Sequence, residues 1–177
     1  MTILLVVGII VVLVAGGLVG LYLWSQGRVL DRGGMVNWKA EDEEGNALSL
    51  SYLRIVEAGD ELGCYYSWEI VATEPGTAKV TVTVQPTHNS REKKYVKKVG
   101  GNLLRDIQAI VDRCSMTGWD DLPPAEIFAL DAASTSVRFE YDGVEHSFSD
   151  GDELPDGAWS AIREIKTLLE SAANVKK

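Results

Sequence analysis

The first part of the chain is an uncharged apolar run, Ile3–Trp24, which restricts the architecture more than any other feature. As a helix, the run would extend about 33 Å, enough to cross the hydrocarbon core of a bilayer. A removable signal peptide has a basic start and a shorter apolar stretch, and this segment has neither. Tyr22 lies near its end, where aromatic side chains favour the membrane interface. We therefore predict that residues 1–24 are a retained single-pass anchor that contacts the lipid bilayer through residues 3–24.

The sequence leaves two properties of this anchor open. Arg28 and Arg32 follow the run, and positive charge beside a span favours the cytoplasm, which would place the rest of the chain inside the cell. Gly16 and Gly20 form a G-x-x-x-G pattern, which lets two membrane helices approach each other closely. This spacing either supports self-association through the membrane helix or reflects the ordinary glycine content of such helices.

The residues after the anchor divide into a linker and one domain. Residues 25–34 are polar and contain paired glycines, which is typical of a juxtamembrane linker. Residues 35–177 contain no internal repeat and have the length of a single domain. The whole chain has a formal net charge of −9, and its pI is about 4.7. This acidity argues against a nucleic-acid partner, because binding phosphates requires clustered Lys and Arg.

Polar and apolar residues alternate in the first half of the domain, as they do in strands with one buried face. Four segments are predicted as strands: residues 35–40, 48–56, 64–72 and 79–86. Pro75 and Gly76 predict a type II turn between the last two. The basic segment that follows, residues 87–101, is either a patch for an acidic partner or lipid head groups, or a solvated loop or lysine-protected edge strand.

The second half alternates between helical and strand patterns. Apolar residues from Leu103 to Cys114 recur at helical spacing, and residues 136–149 form a hairpin with Asp142-Gly143 at a type I′ turn. A final helix begins after Asp156, which we predict to be its N-cap, and buries a face that includes Trp159. We predict an α+β domain in which an antiparallel sheet of about six strands carries two helices on one face.

The chain contains no recognised motif of a catalytic, cofactor or metal site. Cys64 and Cys114 lack the spacing of metal ligands, so they are predicted to be buried thiols or, in an oxidising compartment, a disulfide. An acidic turn, SDGDELPD, lacks the offsets of a calcium loop and is predicted to lead into the final helix. We predict no cofactor, no metal and no assigned catalytic residue.

The segment from Trp119 to Ser134 is the best candidate for a functional surface, since long irregular segments often carry binding residues. Trp119, Asp120 and Asp131 are the candidate binding residues in it, and His146 on the hairpin is a further one. The alternative is structural: Trp119 and Phe128 fill the layer between sheet and helices, Asp120 accepts hydrogen bonds from backbone donors, and His146 is a partly buried histidine.

The order of elements in the C-terminal half is an amphipathic helix, WDDLPP, the hairpin, LPDGAW and a final helix. It resembles a family of uncharacterised, membrane-anchored or lipoprotein-type proteins of Gram-positive bacteria that contain a domain of unknown function. The residues that carry the resemblance are Trp119, Asp120, Ser134, Ser136, Phe139, Tyr141, Gly143 and Pro155. The resemblance brings no activity, and it implies a domain that faces outward. The chain departs from the family in having a plain helical anchor where relatives often have a lipid-modified cysteine.

Three functions are compatible with these features. The first is a single-pass cell-membrane protein whose tethered, non-catalytic domain binds a protein or peptide partner, which the absence of catalytic motifs favours. The second is a small, hydrolase-like membrane-anchored enzyme with its site in the loop of residues 119–134. The third is a tethered metal or ligand sensor, which depends only on the acidic turn. The side of the membrane on which the domain lies stays open, because the charges favour the inside and the resemblance favours the outside.

Overall fold

The structure is a computed structural model that describes residues 39–59, 62–120, 122–123 and 134–175. The strands within these ranges are β1 (Leu50–Ala58), β2 (Tyr65–Glu74), β3 (Thr77–Gln85), β4 (Lys93–Gly100), β5 (Ser134–Tyr141) and β6 (Val144–Ser149). The helices within them are α1 (Asn102–Arg113) and α2 (Ala158–Ala173), and a short 3-10 helix, Met116–Gly118, follows α1. The predicted α+β class, with an antiparallel sheet and two helices, is confirmed.

The described strands form a six-stranded sheet in the order β4-β3-β2-β1-β5-β6, and every neighbouring pair is antiparallel. Short connections join β1 to β2, β2 to β3 and β5 to β6. Gly76 has a φ of +69°, as the predicted turn after Pro75 requires, and Asp142 and Gly143 both have positive φ, as a type I′ turn requires. The nonlocal pairing of β5 with β1 places the hairpin at one edge and β4 at the other.

The core lies on one face of this sheet. Leu53 pairs with Ile70 on one side and Phe139 on the other, and all three side chains are fully buried. Both helices cover the same face, because their buried side chains belong to a single cluster with those of the strands. The helical members of the cluster are Leu104, Ile107, Ile110, Val111, Ile162, Ile165 and Leu169. Burial of each side chain of this size stabilises the fold by about 1.5–3 kcal/mol. Because both described helices cover one face of the sheet, these residues form two layers, one of sheet and one of helices.

The basic segment forms β4, an edge strand with exposed lysines, which is one of the alternatives predicted for it. Three other expectations about the elements need correction or fall partly outside the described residues. Residues 35–38 of the expected first strand lie outside the described residues, and Lys39 and Ala40 are not in a strand. Asp156 does not cap α2; Gly157 takes that position with a φ of +86°. Trp159 is 44% exposed because the buried face of α2 begins at Ala158 and Ala161 instead.

The expected membrane anchor, Ile3–Trp24, lies outside the described residues, and so do Gly16 and Gly20. Among the residues that are described, no helix is long and apolar enough to cross a bilayer. Cys64 and Cys114 do not form a disulfide with each other: Cys64 is buried and Cys114 is half-buried.

Candidate functional site

The face of the sheet opposite the described helices carries a row of charged and polar side chains, which we call the open face. Residues paired directly across neighbouring strands point to the same face of a sheet. Glu69 pairs with Arg54, Arg54 pairs with Arg138, and Arg138 pairs with Ser147. The row therefore runs across β2, β1, β5 and β6 and brings two arginines side by side.

Beside the two arginines, the open face has a depression of about 690 Å³. Small side chains on adjacent strands are part of its lining, and they are neighbours because Val56 pairs with Ser136 and Ser136 pairs with Ser149. The remaining residues that line the depression are Tyr52, Arg54, Tyr65, Asp120, Val137, Arg138, Ser147, Phe148 and Asp152. Polar and charged side chains make up most of this lining. Small-molecule pockets are lined mostly by apolar side chains, so the depression suits a polar partner segment better than a small apolar ligand.

Neighbouring side chains hold both arginines in position. A terminal nitrogen of Arg54 (Nη2) donates a hydrogen bond to the Tyr65 hydroxyl at 3.0 Å. The Arg138 Nε lies 3.2 Å from the carboxylate of Glu145 on the next strand. The Arg54 Nε is buried and has no hydrogen-bond partner among the described residues. A buried donor of this kind costs about 1–3 kcal/mol when it is left unsatisfied, so the site holds an unused donor.

The Tyr52 side chain at the depression is a neutral hydroxyl group near neutral pH. Burial raises the pKa of Tyr52 above its ordinary value of 10.0, and the nearby Glu69 carboxylate raises it further. Burial by itself lowers the pKa of Arg54, but the hydrogen bond to Tyr65 and the surrounding groups raise it by more, so the guanidinium stays charged. The site therefore offers hydroxyl and guanidinium donors together.

Trp119 and Asp120 make the structural contacts that the sequence offered as the alternative to a binding role. Trp119 is only 5% exposed, and its ring packs edge-on against Phe148 with centroids 4.9 Å apart. One Asp120 carboxylate oxygen accepts a hydrogen bond from the Ser147 backbone N–H at 2.7 Å. Because β6 is an edge strand, this contact satisfies a donor that has no neighbouring strand. The two residues thus fasten the segment after α1 to the edge of the sheet.

His146 joins the same group, although no partner for it was identified from the sequence. Its Nδ1 lies 2.5 Å from the second carboxylate oxygen of Asp120, and its ring stacks on Phe139 with centroids 5.0 Å apart. A carboxylate that orients an imidazole is one part of a general-base arrangement. Among the described residues, no serine, threonine or cysteine side chain hydrogen-bonds to His146. Asp131 and Phe128 lie outside the described residues.

The carboxylates of the acidic turn hold the chain in place. Asp150 accepts a hydrogen bond from the Thr135 backbone N–H at 2.7 Å. Asp152 accepts one from the Ser149 backbone N–H at 2.6 Å and a second from the Ser149 hydroxyl at 3.2 Å. Within the described ranges, no group of three or more His, Cys, Asp or Glu side chains is arranged to hold a metal ion.

Sequence reasoning missed the arginines and tyrosines of the open face. Arg54 and Arg138 occupy polar positions in segments that were predicted as strands, and this was the available signal. The pattern did not show that β1 and β5 are neighbours, because 84 positions separate the two arginines along the chain. No protein-family model matches the chain, and no curated protein matches it either. The resemblance of the C-terminal half to membrane-anchored bacterial proteins therefore stays a prediction.

Proposed function

We propose that this chain is a single-pass membrane protein whose tethered domain is non-catalytic and binds a protein or peptide partner on its open face. The observation that carries the proposal is the depression beside Arg54 and Arg138, on the face that the described helices leave uncovered. Arg and Tyr are the side chains enriched at protein interfaces, and both types line this depression. The apolar run Ile3–Trp24 supports the membrane tether.

Photo-cross-linking tests the proposal in the cells that make the protein. A photoreactive phenylalanine analogue at Ser136 stands on the open face, and the same analogue at Thr167, on the exposed side of α2, is the control. We expect one discrete cross-linked partner from Ser136, no such product from Thr167, and loss of the Ser136 product in Tyr65→Ala. Equal cross-linking at both positions, or a Ser136 product that Tyr65→Ala does not affect, would contradict the proposal.

A small membrane-anchored enzyme is the second candidate, and one observation favours it: the 2.5 Å contact between Asp120 and His146. An enzyme that uses this pair would lose turnover in Asp120→Asn and His146→Gln while keeping its affinity for substrate. Turnover of a panel of activated esters by the full chain, measured for both variants, distinguishes this function from the binding domain. No turnover above that of heat-denatured chain removes the enzyme candidate.

A further inference from the structure

Arg54 and Arg138 lie directly opposite each other on the open face, in an arrangement that does not stabilise the domain. Like charges directly opposite each other on adjacent strands are destabilising. Each arginine has its own positioning contact, and these contacts leave both guanidinium groups over the same depression. Two adjacent guanidinium groups over one depression form a site that an anion would complete.

The open face carries charges of both signs. In the strand register, the basic side chains that share this face are Arg54, Lys79, Lys94, Lys98 and Arg138, and the acidic ones are Glu69, Glu74, Glu140 and Glu145. Asp120 and Asp152 also line the depression, but their carboxylates accept hydrogen bonds from the backbone N–H groups of Ser147 and Ser149. Arg54 and Arg138 are the basic residues of the lining, and their guanidinium groups are complementary to an acidic group of a partner.

We propose that Arg54 and Arg138 form a carboxylate-binding subsite for an acidic peptide segment of the partner; this inference rests on the proposed function. A guanidinium group matches the planar geometry of a carboxylate and binds it through two parallel hydrogen bonds. The Tyr52 and Tyr65 side chains beside the depression provide flat surfaces and hydroxyl groups for a peptide backbone. A long polyanion or an anionic membrane fits poorly, since the acidity of the rest of the chain repels an extended negative surface.

Fluorescence anisotropy with a defined probe tests this subsite on the full chain in nanodiscs of neutral phosphatidylcholine. The probe is a labelled ten-residue peptide of alternating Glu and Ser, and a Gln-for-Glu peptide is its neutral counterpart. We expect the Glu peptide to bind and the Gln peptide to bind at least tenfold more weakly. Arg54→Gln and Arg138→Gln should each weaken Glu-peptide binding about tenfold or more, because each variant loses charge-assisted hydrogen bonds to a carboxylate.

Arg163→Gln is the matched control, since Arg163 is an exposed arginine on α2 and its loss changes the net charge equally. We expect this variant to bind the Glu peptide like the original chain. A charge reversal, Arg138→Glu, should reject the Glu peptide and gain affinity for a Lys-for-Glu peptide. Unchanged far-UV circular dichroism of each variant shows that the fold is retained.

Several outcomes would overturn the subsite. The first is that the Glu and Gln peptides bind equally, and the second is that Arg163→Gln weakens Glu-peptide binding as much as the open-face variants do. The third is that inorganic phosphate displaces the labelled peptide at a lower concentration than unlabelled Glu peptide does. The fourth is that the chain binds phosphatidylserine vesicles more strongly than it binds the Glu peptide. A partner that still cross-links at Ser136 while the Glu peptide fails to bind removes the subsite and leaves the proposed function intact. Absence of any Ser136 cross-link in the original chain removes the proposed function itself.

Discussion

Truncation of Trp119 to alanine distinguishes the structural role of this residue from a binding role. Trp119 is 5% exposed, and a buried aromatic side chain removes about 150–250 Å² from water. At about 25 cal/mol per Å², reduced for the part that alanine retains and for the compactness of the unfolded chain, the change lowers the free energy of unfolding by about 3–5 kcal/mol. The lost edge-on contact with Phe148 is one part of this figure.

Trp159→Ala is the matched control, because Trp159 is a tryptophan of the same domain that is 44% exposed. We expect this variant to lower the free energy of unfolding by about 1 kcal/mol at most. The assay is urea unfolding of the full chain in detergent micelles, followed by far-UV circular dichroism, which does not depend on the tryptophan that is removed. A loss below about 1 kcal/mol for Trp119→Ala, or equal losses for the two variants, would refute the structural role.

Three further predictions concern residues outside the depression or at its rim. Gly101→Ala should lower the free energy of unfolding by about 1–3 kcal/mol, because the new Cβ would lie 2.1 Å from the Glu41 carbonyl oxygen. Gly118 has open space around it, so Gly118→Ala should change the free energy of unfolding by under about 0.5 kcal/mol. Equal urea midpoints for the two variants would contradict this prediction. Hydrogen bonds from Asn46 hold the pKa of the Asp42 carboxyl below 3.8 and outweigh burial, so stability should fall as pH falls below about 4, and Asp42→Asn should show a shallower loss in acid unfolding. Burial raises the pKa of Tyr52, so its contribution to the free energy of unfolding is complete below about pH 10 and is lost as pH rises through the higher folded pKa. The melting temperature at alkaline pH should therefore fall less steeply with pH in Tyr52→Phe than in the original chain. An identical dependence of melting temperature on pH in the two proteins would count against this prediction.

Local sequence patterns predicted most of the elements, since each pattern reports on its own neighbourhood. Alternation identified β1, β2, β3 and the β5–β6 hairpin, and the turn residues Gly76 and Gly143 adopt the positive φ that their positions required. β4 was left open, because its four lysines occupy both faces and remove the alternation. The start of α2 was misplaced by one residue, because Gly157 begins the helix through its backbone conformation without a side-chain cap.

The candidate site depends on contacts between distant segments, so the sequence predicted little of it. Asp120 and His146 were both named as candidates, but their contact spans 26 positions and depends on the fold of the segment after α1. Arg54 and Arg138 meet only because β5 pairs with β1 on the far side from β2. Hydrophobic alternation assigns each residue to a face, but it does not state which strands are neighbours.

The most direct test of the central claim is cross-linking from Ser136 in the double variant Arg54→Gln, Arg138→Gln. The photoreactive group stays on the open face in this variant, and only the two guanidinium groups are lost. If the open face binds its partner through the arginine pair, the cross-linked product disappears in the double variant and persists in Arg163→Gln. A product of undiminished yield in the double variant would contradict the account.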